Sequence, residues 1–138
     1  MLRTAISLII FVVVMAVIWE FTSCTDTPYV QGLRLYNAKC ANCHMTDGSG
    51  LNKLIPALEL SDAMGTDRLG CIIRNGLNDT IFGKNEFLVK QMPSFPKLTE
   101  NEITNIVNYM NNRWSPNFKE INILEMKEYL VDCPGTFD

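Results

Sequence analysis

The sequence predicts a small all-α domain behind an apolar N-terminal segment, and three observations carry that prediction. Apolar residues recur at helical spacing in several stretches, most of them opened by a capping residue. No run alternates apolar and polar residues long enough to make a convincing strand. At 138 residues the chain has room for one domain. Composition narrows the function classes further. A mean hydropathy of +0.05 with ordinary Gly and Pro content excludes a mainly disordered chain. A net charge of −3 leaves no electrostatic footprint for nucleic acid, so none is expected as a partner. With one His there is no metal site built on two His, and no catalytic triad independent of that residue.

The N-terminus reads as an export signal. Met1–Thr4 carries one positive charge, Arg3, and Ala5–Trp19 is apolar apart from Ser7 before Glu20 closes the run. A run this short suits a signal peptide better than a transmembrane helix, which needs about 20 apolar residues. Phe21-Thr22-Ser23-Cys24 then approaches a cysteine through small residues. It resembles the lipobox of bacterial lipoproteins, in which the Cys is lipidated and becomes residue one. A short uncleaved anchor helix is the alternative. Both place the remainder on the periplasmic side of a bacterial membrane. The chain thus divides into residues 1–23 as signal or anchor and 24–27 as lipidation site and tether. Residues 28–138 form the domain, with a C-terminal extension from about residue 115.

Within the domain, Thr27-Pro28 reads as N-cap and first residue of a helix through Tyr29 to Lys39. Gly32, Tyr36 and Cys40 fall four apart on one face of it. Asp47-Gly48-Ser49-Gly50 breaks the pattern, and a loop runs through Pro56. Thr66 is expected to cap a second helix, Asp67–Asn75, which Gly76 stops. Asn78–Pro96, punctuated by Gly83, Pro93 and Pro96, reads as loop with room for a small hairpin at Gly83-Lys84-Asn85. Thr99 and Glu102 form a capping box for a helix whose Ile103, Ile106, Val107 and Met110 make one buried stripe. That helix should end at Asn112 or Arg113. Asn122 and Glu125 repeat the capping logic for a last helix, Ile123–Val131. Loops this long inside a compact domain imply that something fills the middle.

Cys40-Ala41-Asn42-Cys43-His44 indicates what does. C-x-x-C-H is the attachment signature of c-type haem. Two thiols three positions apart can each add to one vinyl group of a porphyrin, and the next residue then aims its imidazole at the iron. A thioredoxin-like thiol pair would need a βαβ context, which the chain lacks. A four-Cys zinc site would need a second C-x-x-C, but Cys71 and Cys133 stand alone. One covalent haem c is therefore expected, with His44 as proximal ligand through Nε2. Its Nδ1–H then needs an acceptor.

The sixth ligand cannot be a second His, which leaves Lys, Asn, water or a methionine. Met45 follows the proximal ligand and cannot reach across the ring, while Met110 and Met126 sit on helix faces as core candidates. Met64 and Met92 remain. Met92 is preferred, because Pro93 holds it extended in a loop where no helix surface competes for its thioether.

From about Pro28 to Trp114 the chain resembles the small, single-haem, Met/His-ligated class I cytochromes c. Gly32 and Tyr36 precede Cys40 at that family's spacing, and Ile106 and Tyr109 match its last helix, which crosses the first at the small residue. Met92-Pro93-Ser94-Phe95 before Leu98-Thr99 resembles the family's axial-Met loop. Pro56-Ala57-Leu58 resembles its P-x-L loop, which implies that the Pro56 carbonyl accepts the His44 N–H and that Leu58 packs on the haem. The resemblance implies a cytochrome c fold, three to five helices wrapped by loops around one haem. The segment after Trp114 and two extra cysteines depart from the pattern.

With Cys24 assigned to lipid and Cys40 and Cys43 to haem, Cys71 and Cys133 are left over in an oxidising compartment. A disulfide between them is expected, with two independent thiols as the alternative. Iron held by His44 and Met92 has no open position. The expected function is thus one-electron transfer in a respiratory chain rather than enzymatic catalysis. The alternatives are a haem subunit of a periplasmic oxidoreductase or oxidase complex, or a peroxidase-like haem should Met92 dissociate. The partners expected are membrane-bound redox proteins, donor and acceptor, with the membrane itself held through the N-terminus.

Overall fold

A helix crossing at Gly32 organises the domain. In the computed structural model, which describes residues 2–20, 28–51, 54–82 and 87–133, α2 (Val30–Lys39) packs across α5 (Glu100–Trp114). A side chain at Gly32 would collide with the Asn105 carbonyl oxygen and lie 2.5 Å from Tyr109 Cβ. Only a glycine lets the two backbones approach this closely. The buried stripe of α5, Ile103, Ile106, Val107 and Met110, meets the buried Tyr36 of α2 at the centre of the core. Trp114 extends α5 beyond its expected end, and its ring meets Tyr36 at a tilt at 5.1 Å and Tyr109 edge-on at 5.6 Å. The Thr99–Glu102 capping box is formed in both directions.

Helix α1 (Leu2–Glu20) precedes this domain, and its apolar residues from Ile6 to Met15 are exposed. Among the described residues no helix is long and apolar enough to cross a membrane. The lipidation site Cys24, the tether residues around it and the Thr27 cap lie outside the described residues. Pro28 is not the first residue of α2. Tyr29 adopts a left-handed conformation (φ 60°, ψ 42°) and its ring meets Phe118 edge-on at 5.6 Å, so the helix starts at Val30. That contact comes from a segment about ninety positions away, which local capping rules do not see.

Cys40 separates α2 from α3 (Ala41–His44), a single turn. After a loop and a short 3-10 turn at Leu58–Leu60 comes α4 (Arg68–Asn75). Thr66 does not cap α4, because its hydroxyl donates to the Ala63 carbonyl at 2.8 Å and closes the preceding turn instead. Gly76 ends α4 with φ 81°. The segment read mainly as loop forms an antiparallel hairpin, β1 (Leu77–Phe82) with β2 (Phe87–Met92), Leu77 opposite Met92. Its β-branched and aromatic residues favour extended backbone over the loop reading. The expected turn at Gly83-Lys84-Asn85 lies outside the described residues.

The extension ends in α6 (Ile123–Val131), opened by the Asn122–Glu125 capping box. It packs on α4 and α5 through the fully buried Met126. The side chain of Asn108 on α5 holds the Ile121 backbone from both sides, donating to its carbonyl at 2.8 Å and accepting its N–H at 2.9 Å. A disulfide joins Cys71 of α4 to Cys133 just past α6. The protein is mostly helical, with one small antiparallel hairpin among the described residues.

Candidate functional site

The junction of α2 and α3 sets the spacing of the two site cysteines. Cys40 donates its N–H to the Tyr36 carbonyl at 2.8 Å, and its own carbonyl accepts from Cys43 and His44 at 3.1 and 2.9 Å. Cys40 and Cys43 therefore stand one helical turn apart, and neither is in a disulfide. Cys40 is buried in the core and Cys43 is exposed. Burial, with Cys43 adding to it, pushes the Cys40 thiol up to about 11. Such a thiol stays protonated at neutral pH, the reverse of the lowered thiol on which a thioredoxin-like pair depends. Among the described residues no three His, Cys, Asp or Glu side chains are grouped so that they could hold a metal ion.

Burial lowers the pKa of His44 and so favours the neutral imidazole, which is the form that ligates a metal. Its Nδ1 is buried without a hydrogen-bond partner. The Pro56 carbonyl expected to accept from it does not make that bond. A side chain on Gly50 would lie 2.7 Å from the Pro56 oxygen, and the Gly50 N–H donates to the His44 carbonyl at 3.1 Å. The loop is thus folded back against His44 while the ring nitrogen is unpaired. In a ligating histidine the two nitrogens are oriented together, one by the metal and the other by its acceptor.

Several contacts fix that loop. Met45 takes a positive φ of 61°, and its carbonyl accepts from the Tyr36 hydroxyl at 2.6 Å. The Trp114 indole N–H donates to the Asp47 carbonyl at 2.9 Å, with its ring against Gly48. The Leu58 N–H reaches the Gly48 carbonyl at 2.8 Å, which seats Leu58 in the same buried cluster as Cys40. Sequence reasoning missed the Trp114 contact, which joins residues 67 positions apart and leaves no local signal in the chain.

Met92 ends β2, half-buried against the core. Met64 is half-buried against it too, whereas Met110 and Met126 are fully buried on helix faces. The C-terminal turn of α4 grips the Met92 segment. Gly76 lies so close that a side chain there would be 2.6 Å from the Met92 carbonyl oxygen, and Phe95 donates its N–H to the Ile73 carbonyl at 3.1 Å. A cavity of about 350 Å³ opens beside Met92, lined also by Asn75, Leu77 and Gln91. Two free thiols one turn apart, a neutral imidazole with an orphaned nitrogen and half-buried thioethers fit covalently held haem iron.

Comparison with known proteins identifies the family. Residues 28–110, more than half of the chain, match the family described as cytochrome C oxidase, cbb3-type, subunit III. The chain is 30% identical over 93 residues to the alcohol dehydrogenase (quinone) cytochrome c subunit of Gluconobacter oxydans (strain 621H). That match covers 62% of this chain and only 19% of the relative's length. It is also 29% identical over 86 residues to cytochrome c6 of Cyanidioschyzon merolae (strain NIES-3377 / 10D), covering 57% of this chain and 68% of that protein. With the fold, the thiol spacing and these matches in agreement, the chain belongs to the cytochrome c family, in the cbb3-type subunit III group, and its cofactor is covalently bound haem c.

Proposed function

We propose that the protein is a periplasmic one-electron carrier tethered to a bacterial membrane, with haem joined to Cys40 and Cys43 and iron held between His44 and Met92. Two free thiols one turn apart, beside a buried imidazole whose Nδ1 has no partner, carry this reading. When bound, haem c supplies one iron that cycles between Fe(II) and Fe(III). The chain does the rest. Cys40 and Cys43 anchor the ring, and His44 presents a nitrogen kept neutral by burial. Met92 presents a neutral thioether, which raises the potential relative to a second nitrogen ligand and suits the accepting end of a respiratory chain. Leu58 and the apolar stripe of α5 exclude water.

Held by both His44 and Met92, the iron would have no position left for substrate, which fits electron transfer rather than chemistry on a bound substrate. His44 is the only His in the sequence, which leaves no second imidazole for acid–base work and weighs against a peroxidase-like role. Lipidated at Cys24, the chain would have only Thr25, Asp26 and Thr27 between anchor and Pro28, a span of at most about 10 Å. Such a tether suits exchange with a membrane-bound neighbour. A second reading, a haem subunit fixed within a membrane oxidoreductase, is favoured by the likeness to a cytochrome c subunit of a quinone alcohol dehydrogenase.

The ferric protein is expected to show the weak methionine–iron charge-transfer band, and Met92→Ala to abolish it. Loss of the band in Met64→Ala instead would overturn the ligand assignment. Haem-stained protein in the membrane fraction, with mass spectrometry finding a lipidated Cys24 or an intact Met1, would support the tether. Recovery in the soluble periplasm would refute it. Co-migration with a dehydrogenase or oxidase on a native gel would select the second reading.

A further inference from the structure

We propose that the C-terminal extension is a clamp which, acting through α4, holds the Met92 segment in place, with Cys71 and Gly70 as positioning residues. The inference rests on Met92 being the axial ligand. It concerns a part of the chain that lies beyond the family match, which ends at residue 110.

Helix α4 has only eight residues, too few to be stable alone, so its position is set by what it packs against. On one side it is tied to the extension. Cys71 is bonded to Cys133, and Met126 lies over Gly70 so closely that a side chain there would be 2.7 Å from the thioether sulfur. The extension is in turn tied to α5, because Asn108 and the Ile121 backbone exchange two buried hydrogen bonds of 2.8 and 2.9 Å. At its C-terminal end α4 is tied to the ligand segment. The Ile73 carbonyl accepts from the Phe95 N–H at 3.1 Å, and Gly76, at φ 81°, abuts the Met92 carbonyl and the Ser94 nitrogen.

The outer and inner ties thus sit on one short helix, with Cys71 two residues from Ile73. A neutral thioether outside any helix belongs to a segment that opens locally at low free energy. Fixing α4 from behind shifts that local equilibrium towards the closed form, in which the thioether is presented. Removing the fixation raises the open population without requiring the whole domain to unfold.

Carbon monoxide binding to the ferrous holoprotein reads the open population, because the gas must displace methionine. In the full-length Cys71→Ser/Cys133→Ser variant, carbon monoxide should bind about tenfold faster than in wild type, a share of what closing such a loop contributes. Gly76→Ala, which strains the inner tie alone, should raise the rate with the bridge intact. Should the double variant fail to accumulate, reducing the wild-type bridge with a phosphine in the ferrous protein makes the same comparison. An unchanged rate alongside a lowered denaturation midpoint would overturn the clamp, leaving the bridge as a staple only. A Met92→Ala protein that keeps both the charge-transfer band and the wild-type rate would instead refute Met92 as ligand.

Discussion

Replacing Gly32 with alanine isolates the contact on which the core depends. At an ordinary interior helix position the change gains about 1 kcal/mol, since alanine is the better helix former. Here the added carbon would overlap the Asn105 carbonyl oxygen and sit 2.5 Å from Tyr109 Cβ. Comfortable carbon contacts are about 3.5–4.0 Å, so α2 and α5 would have to separate by on the order of 1 Å. The obstructing atoms are backbone and a Cβ, which cannot rotate away, so the overpacking cost falls near 3 kcal/mol, roughly the top of the usual range. Net of the propensity gain, about 2 kcal/mol of destabilisation remains, against a total of about 5–15 kcal/mol for a domain. For a domain of this size that lowers the melting temperature by about 8 °C. Thermal unfolding of the holoprotein, followed by far-ultraviolet ellipticity, measures it. Asn37→Ala, exposed on the same helix, is the control and should be neutral or slightly stabilising. A Gly32→Ala protein that melts at or above wild type would refute the crossing.

Other outcomes follow from the caps and the bridge. Opening the Cys71–Cys133 disulfide, which spans 62 positions, should cost up to about 4 kcal/mol in denaturant unfolding, and alkylation of the denatured, unreduced protein should find neither thiol free. Thr99→Ala removes the acceptor for the Glu102 N–H and should cost about 1 kcal/mol by the same measurement. The Glu102 carboxylate accepts from the Thr99 backbone N–H and then from its hydroxyl, which holds its pKa below the ordinary 4.5. The stability linked to it is present above pH 4.5 and is lost as pH falls through the lowered folded value. Glu102→Gln should therefore flatten that limb of the acid-denaturation curve, and an unchanged limb would refute the linkage.

Which parts were legible follows from how local their causes are. The capping boxes of α5 and α6 span four residues each, and the stop at Gly76 depends on one residue's backbone freedom. Both can be read without knowing the fold. So can the C-x-x-C-H spacing, since one helical turn fixes how two thiols and an imidazole follow one another. The starts of α2 and α4 were misread for the opposite reason. Tyr29 leaves the helical region with its ring on Phe118, and the Thr66 hydroxyl is taken by Ala63 in a preceding turn. The hairpin was under-read because Gly83 and Pro93 suggest a loop until two extended segments are seen to pair.

By itself, then, the sequence determined the helical class, the caps, the order of the donor residues and the presence of a haem-binding segment. All of these are encoded in contacts a few positions apart. The tertiary structure decided how closely α2 and α5 approach, that Trp114 pins the loop after His44, and that the Pro56 loop folds back while Nδ1 is unpaired. It also decided that the C-terminal extension reaches the Met92 segment through α4. Each of these joins residues distant along the chain, and which distant groups meet depends on how all the helices pack at once. That is a property of the assembled core, where a shift of one ångström makes or breaks a contact and local spacing has no way to record it.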